Sequence, residues 1–569
     1  MLPFGDRALL CEVGGPGEVD GPGGPAGLGA LDEVLALHAR LAATRPGGVI
    51  ELVPAARTVL VHVDPRRLSL AAARAWIARA GEGPAPEAST PPLVELPIVY
   101  DGADLDETAA LLGLSAEALA ARHAACTWTV AFTGFAPGFG YLVSHDWPFD
   151  VPRLASPRTR VPAGAVGLAG AFTGAYPRDT PGGWRLIGTT SAPLFTPDAA
   201  APALLTPGAR VRFAPAPPST PVRLRSGDET ASAARSLVAQ VQSHGAGGGD
   251  GRGAGIVVRA AGVLATVQDL GRSGRAAEGI AVSGAADRAA LRTANRLVGN
   301  AEDAAGIEIT LGGFRAVALP DTAPTPASTP NPDTAPTPAS TPTPASTPAP
   351  TPALWIAVTG AWGPIRIGGR PVDPYTAHLL PAGAELHIDA VAHGARAYLA
   401  VRGGLDAPLV AGSRATDTLS GLGPAPLRAG DRIPLASTHP PAPIPPDDLH
   451  PWSPPRDDLL DILIAPGPRA DWIVDASALH TTEWTVSPRA DRIGIRLDGP
   501  PLTRRPGELP SEGMLPGAIQ VPPDGLPVIL GPDGPVTGGY PVVAVVMDAS
   551  RDALAQARPG TRLRFRPAH

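Results

Sequence analysis

Short apolar runs, not long helical stripes, dominate the hydrophobic pattern of this 569-residue chain. ALLCEV (8–13), GVIELVP (48–54), TVLVHV (58–63), LVELPIVY (93–100), RVRFAP (210–215), LWIAVTGAW (354–362), LLDILIAP (459–466) and RLRFRP (562–567) have the length and composition of strands. Helical spacing appears at Leu31–Leu41, Leu68–Ala80 and Ala285–Val298, and as two short helices within 104–125. Ser115 is a good N-cap for the second of these. His123 near its end reads as a solvated group that satisfies the helix terminus.

Punctuation between the runs sets the layout. Residues 1–88 read as a small α+β domain and 89–215 as a β-barrel-sized unit. Residues 216–255, containing SHGAGGGDGRGAG, read as a flexible linker. A β-rich domain spans 256–438, interrupted by APTPAST repeats at 321–353 that read as an extended surface insert. HPPAPIPPDDLHPWSPPRDD (439–458) is a second linker, and 459–569 is a further domain of short strands. On or beside the helix at 285–298, Asp287, Asn295 and Asn300 serve equally as caps or as site residues.

The densest stretch is 132–190: FTGFAPGFGYL, VPRLASPRTRVPAGAVGLAG, then FTGAYPRDTPGGWRLIGTT. Gly permits positive φ and close backbone approach, and Pro fixes φ, so this is a set of shaped turns between short strands. Aromatic walls with arginine forks suit a small anionic or amide ligand. The candidate wall is Phe135, Pro137, Gly138, Phe139, Tyr141, Gly182, Gly183 and Trp184, with Arg153 and Arg158 as charge partners. The C-terminal PGAIQVPPDG…VTGGYPVV repeats the rhythm of PAGAVGLAG…TPGGWRLI, which suggests two related barrels packed as a pseudo-symmetric pair.

Composition narrows the chemistry. A net charge of −7 favours neither nucleic acid nor an anionic membrane. No run has a transmembrane length, and the N-terminus lacks a secretory pattern. Two cysteines fit a reducing cytoplasm. All 46 basic residues are arginine. Schiff-base lysine, a Walker A loop and covalent biotin are therefore excluded on this chain. The twelve histidines are scattered, with no metal-ligand spacing.

Residues 1–215 resemble the B subunit of bacterial 5-oxoprolinase, also described as the sporulation-kinase-inhibitor or allophanate-hydrolase-subunit-1 family. The matching residues include Gly5-Asp6-Arg7, Gly134-Phe135, Pro137-Gly138-Phe139, Pro162-Ala163-Gly164 and Pro181-Gly182-Gly183-Trp184. Residues 256–569 resemble the C subunit, the allophanate-hydrolase-subunit-2 family. They do so through Gln268-Asp269-Leu270-Gly271-Arg272, Ser283-Gly284, Asp287, Asn295, Asn300, Asp491-Arg492, Ser511-Glu512-Gly513, Gly517-Ala518-Ile519-Gln520-Val521-Pro522 and Gly538-Gly539-Tyr540-Pro541. The chain departs from the pattern at Ala165, at GPDGPV before TGGYP, and in the 321–353 insert.

The resemblance implies a mainly β fold with α+β elements: cyclophilin-like β-barrels, one in each half, plus the small N-terminal α+β domain. It implies membership of the carboxyltransferase-domain superfamily shared with urea carboxylase. It further implies work with a separate A subunit, opening the 5-oxoproline lactam with Mg-ATP to give L-glutamate. On this reading Arg158 and Arg492 steady developing charge, Glu512 or Asp491 is a general base, and Gln520, Gly538, Gly539 and Tyr540 add to the substrate wall. The residues also permit plainer roles, a surface pair for Asp491 and Arg492 and a turn cap for Gln520. Two other function classes stand beside it: biotin-dependent carboxyl transfer to urea or another amide with a biotinylated partner, and regulation of a histidine kinase.

Overall fold

The structure is a computed structural model that describes residues 1–14, 28–83, 93–197, 199, 201–217, 254–319, 353–436, 442–444, 452–456 and 458–568. The expected linker at 216–255 and the insert at 321–353 fall, but for short margins, outside the described residues, and of the linker at 439–458 residues 442–444, 452–456 and 458 are described.

The first four strands, Leu2–Phe4, Ala8–Glu12, Val49–Pro54 and Thr58–Val63, form one antiparallel sheet. Ala8, Leu9, Leu10 and Cys11 are all buried. Because successive side chains point to opposite faces, both faces of this sheet are covered. Leu9, Cys11, Val59 and Val61 meet the helices Leu28–Ala43 and Leu70–Glu82. Phe4, Leu10, Val53 and Leu60 meet Met514, Leu515, Val542 and Val545 from the far end of the chain. The N-terminal layer is thus wedged between its own helices and the C-terminal barrel.

Two barrels share one strand plan. In the first, the hydrogen-bonded order is Arg185–Thr189, Ala165–Ala169, Phe172–Ala175, Gly140–Val143, Trp128–Thr133, Arg210–Pro215, Leu93–Ile98, and a bridge between Val99 and Thr189 joins the edges. The second closes fully through Leu459–Pro466, Val542–Val546, Ala518–Gln520, Val528–Leu530, Gly494–Asp498, Glu483–Val486 and Arg562–Pro567. In each, the first and last strands pair in parallel. Each also extends a two-stranded ribbon: Arg158–Val161 with Thr180–Gly182, and Glu512–Gly513 with Thr537–Gly538. A buried Trp closes the helix before it in both: the Trp128 indole N–H donates to His123 O (3.1 Å) and that of Trp484 to Leu479 O (2.9 Å). The repeated Pro/Gly rhythm of the sequence is the trace of these matched ribbons.

His123 is not the solvated group expected. It is fully buried, with Tyr100 Oη 2.9 Å from Nδ1 and Thr173 Oγ1 2.9 Å from Nε2. Burial pulls its pKa down to about 3, so it is a neutral core histidine. The helix Ala116–Ala125 turns its last turn into the barrel, and the ring packs against Trp128, Trp147 and Phe213.

Between the barrels, six- and five-stranded sheets built from residues 255–434 face each other across one core that includes Val258, Ile307, Phe314, Val358, Leu386 and Leu399. The helix Arg288–Leu297 packs on the second of these sheets. Asp287 caps it, accepting from Ala290 N (2.9 Å). Asn295 and Asn300 tie neighbouring loops through Ala304 O and Val401 O. No helix of the described residues is long and apolar enough to cross a membrane.

Candidate functional site at the seam of the two halves

The FTGFAPGFG turn lies where the halves meet. Phe135 and Gly138 both adopt positive φ (64° and 79°). Thr133 Oγ1 donates to Ala277 O (2.6 Å) and Gly138 N to Glu278 O (3.3 Å). A Cβ added at Gly134 would run into Thr537 Oγ1 on the second ribbon. The Gly-rich turns singled out in each half are therefore in direct contact. Pro137 and Phe135 edge a narrow cleft there with Gly279, Asp417, Ser420 and Gly534.

The predicted aromatics form one cluster. Phe139 is the hub, with ring centroids 5.5 Å from Phe135, 5.0 Å from Tyr141, 5.0 Å from Tyr176 and 5.3 Å from Trp184. Phe139 and Trp184 are buried, whereas Phe135 is 41% exposed. Gly182 leaves room for the Tyr176 hydroxyl, and Gly183 faces Pro157. Burial pushes the Tyr141 phenol up to about 12, opposed by nearby Arg153, which is exposed. Arg158 is committed to buried Asp104 (2.6 Å), which also accepts from Leu186 N (2.7 Å).

The second-half candidates separate. Glu512 is buried, and Arg469 Nε donates to its Oε1 (2.9 Å) while Oε2 has no partner. Burial pushes this carboxyl up, and Arg469 opposes the shift. Gln520 is buried at the end of the barrel strand Ala518–Gln520, and its Nε2 donates to Met514 Sδ (3.2 Å) rather than to a turn carbonyl. Gly538 lies beside that amide, Gly539 faces Leu509 O, and Tyr540 is half exposed.

Arg492 and Asp491 do not form a surface pair. Arg492 is buried and grips Asp533 with Nε and Nη2 (both 2.9 Å), Glu308 with Nη1 (2.6 Å) and Gly284 O with Nη2 (2.7 Å). Asp491 is exposed and accepts from Ile493 N and Gly494 N (2.8 and 2.9 Å). A turn reverses between the two, sending one inward and one outward.

A second opening at the seam lies outside the residues expected from sequence. A cavity of about 260 Å³ is bounded by the N-terminal sheet, the 270–288 segment and barrel loops 514–516 and 532–536. Its polar lining is Arg7, Glu51, His62, Ser273, Ser283, Arg288 and Arg551, with Arg292 also on the wall. Arg7, Arg288 and Arg551 all reach for one carboxylate, Asp548, Arg551 only at 3.7 Å. Glu51 is turned to the Gly274 and Ala276 amides. Both ring nitrogens of His62, Ser283 Oγ and Arg288 Nε are buried without a hydrogen-bond partner. Burial, then Arg7, Arg551 and Arg288, pull the His62 imidazole down to about 3. Arg7 and Arg288 fall within or beside matched motifs, which was the available signal. His62 and Arg551 carried none, because folding alone brings them together.

Comparison with known proteins agrees with this architecture. Residues 1–205 match the family described as carboxyltransferase domain, subdomain C and D. Residues 278–325 and 343–567 match carboxyltransferase domain, subdomain A and B. The chain is 35% identical over 324 residues to the 5-oxoprolinase C subunit of Escherichia coli strain K12, covering 54% of this chain and 88% of that one. It is 43% identical over 175 residues to the 5-oxoprolinase B subunit of Escherichia coli O157:H7, covering 29% and 78%. The crystal structure of TTHA0988 superposes with a TM-score of 0.77 at 32% identity, covering 98% of this chain and 99% of its own. With both halves matched in order and the whole architecture shared, the chain belongs to the carboxyltransferase-domain family of the 5-oxoprolinase B and C subunits, here joined in one polypeptide.

Proposed function

We propose that the chain is the joined B and C component of an ATP-dependent 5-oxoprolinase, opening the lactam of 5-oxo-L-proline to L-glutamate together with a separate A subunit. The observation that carries the reading is the seam itself, where Gly134 meets Thr537 and segments from both halves enclose an arginine-lined cavity. The E. coli relatives of the two halves are named as subunits of 5-oxoprolinase.

A lactam amide is a poor electrophile, and the charge that develops on its oxygen needs fixed donors. In a chain without lysine, arginine forks and backbone amides of Gly-rich turns are the available donors. ATP, when bound, supplies the phosphoryl group that activates the lactam carbonyl. The cavity's arginines have the chemistry to face phosphate oxygens. Of the two acids considered as base, Glu512 suits the role better. It is buried, its pKa is raised, and one oxygen is free of partners, whereas Asp491 is exposed and tied to backbone amides. Both cysteines are buried and unpaired, which fits a reducing cytoplasm.

The test mixes the chain with its A subunit, Mg-ATP and 5-oxoproline and measures glutamate. Glutamate that requires both proteins and ATP is the expected result. No glutamate with an active A subunit would overturn the reading. Transfer of carboxylate from a biotinylated partner to urea would then establish the second reading, which the carboxyltransferase descriptions favour.

A further inference from the structure

We propose that the cavity between the N-terminal sheet and the second half is a subsite for a small oxyanion, a carboxylate or a phosphoryl group. Arg7, Arg288 and Arg551 grip the anion, and His62 and Ser283 meet its neutral polar neighbours. The proposal deepens the reading above, by assigning where a charged end of the reactants is held.

Charge is the first ground. Four arginines line the cavity, against Glu51 as the sole lining carboxylate. Glu51 is spent on backbone amides. Arg7 lies 3.5 Å from Asp6 and Arg288 3.6 Å from Asp552, and both share Asp548 with Arg551. Three acids, Asp6, Asp548 and Asp552, none of which lines the cavity, thus answer these three guanidiniums. The guanidiniums' mutual repulsion is visible on Arg551, which burial, then Arg288 and Arg7, pull down to about 9. At neutral pH it stays charged, so the cavity lining itself, four guanidiniums against Glu51, carries a positive local field, with Asp6, Asp548 and Asp552 outside that lining. Such a field favours an anion more than water does.

Unmet hydrogen bonding is the second ground. Buried polar side chains nearly always find partners, so an orphan in a cavity wall calls for an explanation. Here four such atoms, His62 Nδ1 and Nε2, Ser283 Oγ and Arg288 Nε, belong to residues that line one cavity. His62 stays neutral among the arginines. It therefore offers one donor and one acceptor without adding charge, which complements an amide N–H and C=O beside a carboxylate. Ser283 holds positive φ (52°), a strained conformation for a serine.

The test titrates the full chain, without any A subunit, with 5-oxoproline, inorganic phosphate and neutral 2-pyrrolidinone, following heat and Tm. An anion is expected to bind and raise Tm, and 2-pyrrolidinone to bind at least tenfold more weakly than 5-oxoproline. Arg551→Met and Arg288→Gln should each weaken the anion tenfold or more. His62→Phe should weaken 5-oxoproline more than phosphate. Binding of 5-oxoproline assigns the subsite to the substrate carboxylate, and binding of phosphate alone assigns it to a phosphoryl group. If neither binds, or if both bind equally well to Arg551→Met, the proposal is overturned. Should Arg288→Gln fail to fold, Arg551→Met still decides. Glutamate production with unaltered binding in the variants would sink the subsite and leave the function standing. Arginine-dependent binding without glutamate would do the reverse.

Discussion

Two arginine clusters sit at the junctions of this molecule, and they are built in opposite ways. Around Arg492, Asp533 and Glu308 supply two carboxylates and Gly284 a carbonyl, while Tyr398 donates to the other Glu308 oxygen (2.8 Å) and Thr418 to the Asp533 oxygen that Arg492 Nε also holds (2.7 Å). Charge and hydrogen bonds close on themselves. Around Arg551, three guanidiniums share Asp548, with Asp6 and Asp552 at 3.5 and 3.6 Å, and four neighbouring polar atoms lack hydrogen-bond partners. The first cluster holds the second barrel to the middle sheets, whereas the second is left open towards a cavity. Being a buried arginine in a matched motif therefore does not mark a ligand site; lack of closure does.

The largest effect should come from breaking the closed cluster. Arg492→Ala leaves Asp533 buried without its ion-pair partner and Glu308 with Arg396 at 3.4 Å as its remaining one, which costs about 3–5 kcal/mol. Chemical denaturation should show that loss, and an unchanged midpoint would refute the closed description. Next is the contact between the Gly-rich turns. Gly134→Ala drives a methyl into Thr537 Oγ1 and should cost about 1–3 kcal/mol by overpacking. Thr537→Gly in the same chain should restore part of it, and no rescue would mean the strain lies elsewhere.

A pH series separates the clusters further. Asp287, beside the open one, holds its proton to about 7 because of burial and then Asp552. An unfolded Asp releases it near 3.9. The folded chain therefore binds more protons between about 4 and about 7, and stability falls as pH rises through that window. Asp287→Asn should flatten that slope. Glu308 and Asp533 have the opposite sign: despite burial, Arg492 holds both below their usual range, so their contribution is present at neutral pH and lost on acidification. The smallest stability effect is expected at Arg551. Arg551→Met removes a buried, poorly paired charge and should leave the ligand-free Tm unchanged or raise it.

The strand-rich fold was legible because Gly and Pro mark turn ends while β-formers fill the runs between them. The helix at 70–82 was legible from its apolar spacing, and Ser115 from its capping chemistry. The clustering of the aromatics around Phe139 was legible because they lie within one stretch of alternating strands and turns. His123 was misread because helical position alone does not say which face packs into a barrel. The inward turn of Arg492 was hidden because its partners, Glu308 and Asp533, come from distant strands and loops. The open cavity was hidden for the same reason: Arg7, His62, Arg288 and Arg551 come from four segments that share no local pattern.

The most direct test sets Arg551→Met beside Arg492→Met in one titration with 5-oxoproline and phosphate, reading Tm with and without ligand. The account predicts that Arg551→Met keeps or gains ligand-free stability and loses the anion-induced rise in Tm, while Arg492→Met loses ligand-free stability. A stable Arg551→Met that still shows the full anion-induced rise would contradict it.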